Sequence, residues 1–165
     1  MSNSLGQDHL ERVGASVYLK GDNIEQAADL YGDSVPADYK DKQVLRDGGY
    51  HHATLLDVKD FGFLVRQLRD DKSLSRKQAE RAIKKEWDDI IAGRRIDTVF
   101  TSDWKAIGLG KQAQGDDEAY YVVLSWPGGE HIRERLGLPP KDFHITLGFR
   151  QRDVHGVPKD ETTLL

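Results

Sequence analysis

The sequence contains no cysteine, which excludes disulfides, thiol nucleophiles and thiolate metal sites together. No apolar run approaches the ~20 residues that a membrane-spanning helix requires. Residues Met1 to Gln7 lack the basic and then apolar stretches of a secretory signal. A cytoplasmic or otherwise intracellular protein with no membrane attachment is therefore expected. A surplus of positive charge is also missing: 24 Lys and Arg against 28 Asp and Glu leave a net charge of −4. Domains that grip long nucleic acids carry the opposite excess, to neutralise phosphates along a track. An anionic ligand, if one binds, is expected to meet a local site, as a small molecule or a chain end would.

Several familiar signatures are absent too. Gly108-Leu109-Gly110-Lys111-Gln112 has neither the upstream glycine nor the Ser/Thr of a phosphate-binding P-loop. No HExxH or EF-hand spacing occurs, and Asp116-Asp117-Glu118 beside Gly115 reads as a solvated turn. Nothing implies a metal or an organic cofactor, and no obligatory protein partner is evident.

What is present is a soluble, globular composition, 38% hydrophobic and 32% charged over 165 residues, enough for one domain spanning 1–165. Residues 1–12 read as a polar extension, frayed or helical. Gly14 to Lys20 predicts a strand. Asn23 to Tyr31 predicts a helix, with Asn23 as a possible N-cap and Gly32 at its end. Asp33 to Gly49 reads as a long surface loop with room for a helical turn. Tyr50 to Leu56 predicts a strand, Lys59 to Asp70 a helix, and Ser75 to Ile91 a helix capped by Ser75 with an apolar face including Ala79, Ile83 and Ile90. Strands are expected over Ile96 to Thr101, Ala106 to Gln112 and Ala119 to Trp126, then a short helix over Glu130 to Leu136. Phe143 to Arg150 is the last strong strand, and the tail from Val154 could add an edge strand. Six or seven mostly antiparallel strands with three or four helices make an α+β chain.

Two triplets carry the chemistry: His52-Ala53-Thr54 and His144-Ile145-Thr146. Side chains at i and i+2 of a strand leave on one face, so each strand presents an imidazole beside a hydroxyl. Phe143, Ile145, Leu147 and Phe149 form the opposite, core face of the second strand, so its histidine must look toward something polar. Given six His and six Thr, two His-x-Thr triplets arise by chance on the order of 2% of the time. Both being in strands, each followed by leucine, lowers that figure. Arg150 is expected on the same face as His144 and Thr146, within reach of a phosphate, with a solvated strand-end arginine as the plain alternative. Tyr18, Tyr121 and Trp126 are possible base-stacking platforms, although strand aromatics are more often core. His51 faces away from His52 and reads as structural; His9, His131 and His155 read as surface residues.

The two triplets, together with Leu136 to Phe149 (LGLPPKDFHITLGF), resemble the 2H phosphoesterase superfamily. That resemblance implies a bilobal α+β fold, two small antiparallel sheets lining a central cleft with helices outside. It implies hydrolysis of a phosphodiester, typically a 2′,3′-cyclic phosphate on a nucleotide or an RNA end, without a metal. One histidine would act as base and the other as acid, and Thr54 and Thr146 would donate hydrogen bonds to the phosphoryl oxygens. Two enzyme substrates stay open at this point, terminal cyclic phosphates and cyclic oligonucleotide signals. Two non-enzymatic alternatives remain as well: a module that binds phosphorylated ends without turnover, and a scaffold with inert, buried histidines.

Overall fold

The computed structural model describes residues 8–93 and 101–165. Six strands form one open antiparallel sheet: β1 (His9–Val13), β2 (Ser16–Lys20), β3 (Ala53–Leu56), β4 (Lys105–Gln114), β5 (Asp117–Ser125) and β6 (His144–Phe149), in the order β1-β2-β3-β6-β5-β4. Five α-helices accompany them: α1 (Asp22–Gly32), α2 (Ala37–Asp47), α3 (Val58–Lys72), α4 (Arg76–Ile91) and α5 (Pro127–Arg135). The α+β class is as expected. The two three-stranded halves meet where β3 pairs with β6 through Ala53 and Ile145, so the two triplets lie side by side, His52 immediately before β3 and the rest within the strands. The strand expected over 96–101 falls largely outside the described residues. No described helix is long and apolar enough to cross a membrane.

One face of the sheet carries the main core. Leu19, Ala53, Leu55, Val122, Ile145 and Leu147 pack against Ile24 and Ala28 of α1, Phe61 and Leu64 of α3, Ile83 and Trp87 of α4, and Ile132 of α5. The other face holds a smaller cluster in which Ala119, Tyr121, Val123 and Phe149 are covered by Val154 and Val157 of the C-terminal tail. The tail is tied down further along, where Leu164 bridges to Gly110 and the Leu165 N–H donates to the Leu109 carbonyl. It therefore forms a wall over this face of the sheet and not a regular edge strand.

Three segments differ from their sequence reading. Residues 9–13 are a strand, because Gly14 at φ +61 supports a tight turn that pairs Val13 with Ser16 and brings Leu10 into the core. The start of α1 is not capped by Asn23; the Ile24 N–H is met by the Asp8 carboxylate from the foot of β1, at 3.4 Å. Most consequentially, the presumed loop 33–49 contains the 11-residue helix α2, opened by Pro36 and closed by Gly48 at φ 74. Its buried face is polar: Gln43 is 1% exposed and donates to the Tyr50 carbonyl at 2.8 Å. A helix held by a glutamine shows no apolar period, which is why its punctuation was legible and its body was not.

Two devices fix the site strands against each other. Asp57 and Asp60 make a reciprocal capping box at the start of α3. The Asp60 carboxylate also accepts from the Arg133 guanidinium at 2.7 Å, in a pair whose side chains are 10% and 4% exposed. Arg133 further donates to the carbonyls of Leu55 on β3 and Pro139 in the turn before β6, both at 2.9 Å. One guanidinium thus clamps the segments bearing the two triplets. Arg133→Ala strands a buried carboxylate and is expected to cost about 3–5 kcal/mol, read as a lower urea midpoint at unchanged slope.

The second device is Gly148. A Cβ there would sit 2.7 Å from the Tyr39 carbonyl carbon and 2.9 Å from the Lys40 nitrogen, so only glycine lets the α2 backbone lie against β6.

Candidate active site

The Ala53–Ile145 pairing sends Ala53 and Ile145 into the core. Their neighbours on either side therefore emerge together on the opposite face. Extending that antiparallel register by one residue each way sets Thr54 across from His144, and His52 across from Thr146. The two histidines are then diagonal neighbours, with backbones roughly 7–8 Å apart. That register puts all four side chains on one face; Thr54 and His144 line a cavity of about 530 Å³ with Tyr18, Asp57, Lys59, Lys141, His155 and Lys159, whereas His52 and Thr146 stand beside that lining and not in it.

Each imidazole is held differently. His52 is stacked on Tyr18, with ring centroids 4.0 Å apart and planes inclined by 26°. Burial presses its pKa down to about 4, aided by Arg46, Lys20 and His51, while the nearby Asp47 carboxylate opposes the shift. His144 has its Nδ1 2.7 Å from the Asp142 carbonyl. A carbonyl only accepts, so Nδ1 carries the proton and Nε2 is the free nitrogen of the neutral ring. Burial and then the Lys159 ammonium lower its pKa to about 3, against the Asp142 carbonyl and Asp153. The Tyr121 ring meets it edge-on at 5.7 Å. With pKa values this low, both imidazoles are uncharged at neutral pH.

Behind the triplets runs a chain of ions absent from the sequence reading. The Thr146 hydroxyl donates to Asp153 Oδ2 at 3.3 Å. Asp153 also accepts from Arg46 at 2.8 Å and from Lys159 at 3.1 Å. Burial works to raise the Asp153 pKa, but the two cations outweigh it and hold it at about 2. Arg46 and Asp47 come from the end of α2, Asp153 and Lys159 from the tail. The one sequence signal that could have exposed Arg46 and Asp47 was the Pro36 and Gly48 punctuation around α2; no local signal marked Asp153 or Lys159.

The remaining candidates divide. Tyr18 borders the cavity but its ring lies on His52. Tyr121 is on the site face, fully buried, with its hydroxyl donating to Thr163 at 2.7 Å, so it offers no surface to a base. Trp126 is 1% exposed on the core side, 5.0 Å from the Phe143 ring, and is likewise no platform. Arg150 does not reach the site. Between Thr146, opposite Tyr121, and Gly148, opposite Tyr120, β6 carries one extra residue. This bulge inverts the alternation. Phe149 therefore turns to the site face, where it joins Tyr121 and Val154 instead of the main core, and the Arg150 guanidinium contacts the Asp116 carbonyl at 3.4 Å. His51 is structural as expected: its ring and backbone N–H both meet Glu25, at 2.7 Å each. His155, expected to be a plain surface residue, is exposed but borders the cavity.

Among the described residues no group of three or more His, Asp or Glu is arranged to hold a metal ion. Comparison with protein families matches residues 15–155 to the 2H phosphoesterase domain described as Swiss Army Knife. The match spans most of the chain and includes both triplets, so the protein belongs to the 2H phosphoesterases. No curated protein and no solved structure matches it.

Proposed function

Taking membership of that family and its phosphoesterase activity as the premise, we propose that the protein hydrolyses a cyclic phosphodiester without a metal, the substrate being a 2′,3′-cyclic phosphate on a nucleotide or RNA end. The observation that carries this reading is that His144 and Thr54 line a cavity of about 530 Å³, while the Ala53–Ile145 pair brings His52 and Thr146 alongside them. That volume suits a small ligand or a chain end. Lys59, Lys141 and Lys159 line it against Asp57 and Asp142, a small local surplus of positive charge in a protein whose net charge is −4.

In this reading His144 is the base and His52 the acid, an assignment supported by their neighbours. His144 faces the Lys159 cation, which favours its neutral form, and its free Nε2 takes the proton of the attacking water. The water oxygen bonds to phosphorus, a ring P–O bond breaks, and the leaving ribose oxygen takes a proton from His52. Asp47 favours the charged form of His52, and the arriving phosphate anion raises its pKa further, so the acid is armed only with substrate in place. Thr54 and Thr146 face the non-bridging oxygens, where charge grows in the transition state. The product is a phosphomonoester.

The test is a substrate screen in excess EDTA with cyclic mononucleotides, cyclic-phosphate-ended RNA and cyclic oligonucleotides, products being resolved by chromatography. Ring opening of 2′,3′-cyclic phosphates is expected. Turnover of the cyclic oligonucleotides alone would transfer the activity to that substrate class. Binding without product would make the cleft a recognition module, and turnover lost on chelation would remove the two-histidine mechanism.

A further inference from the structure

Lys159 is an unusual lysine. Its side chain is 5% exposed, yet the residue lines the cavity that His144 and Thr54 also line. Burying an ammonium is costly unless its charge is used. Its ammonium lies 3.1 Å from Asp153 Oδ1 and 5.4 Å above the Tyr121 ring. Its position is fixed from the backbone as well, the Lys159 N–H donating to the Asp142 carboxylate at 3.1 Å. Asp142 is also the residue whose carbonyl sets the His144 tautomer. One loop residue therefore registers both the imidazole and the lysine.

The Asp153 carboxylate does not belong to Lys159 alone. It also accepts from Arg46, from the Thr146 hydroxyl and from the Val154 N–H, so its charge is divided among four donors. An ammonium has three N–H donors and no acceptor. The bond to Asp153 engages one, and among the described residues Asp153 is its only ion-pair partner. Donor capacity and a desolvated positive charge therefore stand at the edge of the cavity, next to the ring that handles the proton. Arg150, the cation that the strand pattern offered for this role, has been turned away by the bulge in β6. Lys159 lies beyond the residues 15–155 matched to the family.

We infer that Lys159 is the phosphate-binding cation of the cleft: its ammonium contacts a non-bridging phosphoryl oxygen of the substrate, while Asp153 and the Asp142 loop hold it in place. This deepens the proposed hydrolysis and rests on it for the substrate, but anion binding can be measured separately from turnover.

The test is calorimetric titration of the full chain with inorganic phosphate, paired with NMR titration of the His144 imidazole. Lys159→Gln is expected to weaken phosphate binding about 10- to 100-fold, the range for hydrogen bonds to charged groups. It should also move the His144 pKa upward, because the cation facing that ring has gone. Asp153→Asn, which removes a competing acceptor, is expected to bind phosphate at least as tightly as the unaltered protein. Should Lys159→Gln alone fail to fold, the decision passes to Asp153→Asn/Lys159→Gln, where the buried pair is neutralised on both sides; it should lose the same factor relative to Asp153→Asn. Phosphate affinity that is unchanged in whichever of these comparisons folds would overturn the assignment and leave Lys159 as a structural partner of Asp153. If phosphate binding follows Lys159 while no cyclic phosphate is hydrolysed, the anion site stands and the proposed reaction falls.

Discussion

His144→Ala and His52→Ala are each expected to lower kcat about 10²- to 10⁴-fold, the range for a positioned acid or base, with thermal unfolding essentially retained. Neither ring contributes to the main apolar core, so a fold-wide collapse is not expected. The two losses should differ in kind. Without His144 the attacking water has no base, and adding imidazole to the assay should restore part of the rate by filling the space left beside Lys159. Without His52 the leaving oxygen lacks its acid, and substrates with better leaving groups should suffer least. The double variant should fall little below the worse single one, because the two groups act in one concerted event and such effects do not add. A His144→Ala protein with near-normal kcat would remove this ring from the chemistry.

The second large effect belongs to the hydroxyls. Thr54→Val and Thr146→Val preserve the β-branched shape that suits a strand but delete the donor. A loss of about 10²- to 10³-fold in kcat is expected for each, as for other donors aimed at charge that grows in the transition state. KM should change far less. Thr146 has the more demanding task. Its hydrogen points to Asp153 at 3.3 Å, and on the proposed mechanism it swings to the phosphoryl oxygen when substrate arrives. The length of that bond makes the exchange cheap. Asp153 keeps Arg46 and Lys159 as partners throughout. Thr146→Val should therefore fold, and its kcat-selective defect separates transition-state stabilisation from substrate binding.

The parts of the site that sequence made legible are those governed by local periodicity. His52 with Thr54, and His144 with Thr146, follow from an alternation of two that any strand obeys. Ile145 and Ala53 as core residues follow from the same rule. The failures occurred where one extra residue or a distant contact breaks such a rule. A bulge after Thr146 moved Arg150 off the site and Phe149 onto it. Nothing in FHITLGFR marks it except Gly148, whose missing side chain proved to serve the approach of α2. Helix α2 was hidden because it is held by Gln43, Tyr39 and Arg46 through polar contacts, so no apolar stripe announces it. Lys159 and Asp153 were unreadable for another reason. Their meaning depends on the tail folding back over β5 and β6, a long-range return that leaves no local pattern.

Whether both imidazoles flank one anion is tested most directly by following their NMR signals during titration with inorganic phosphate. In the free protein His52 should titrate near 4 and His144 near 3, below the ordinary imidazole value of ~6.5. Phosphate favours the protonated form, so its binding should raise the pKa of His52 and perturb both rings along a single saturation curve with one Kd. Two different dissociation constants, or a response confined to one ring, would contradict a shared site.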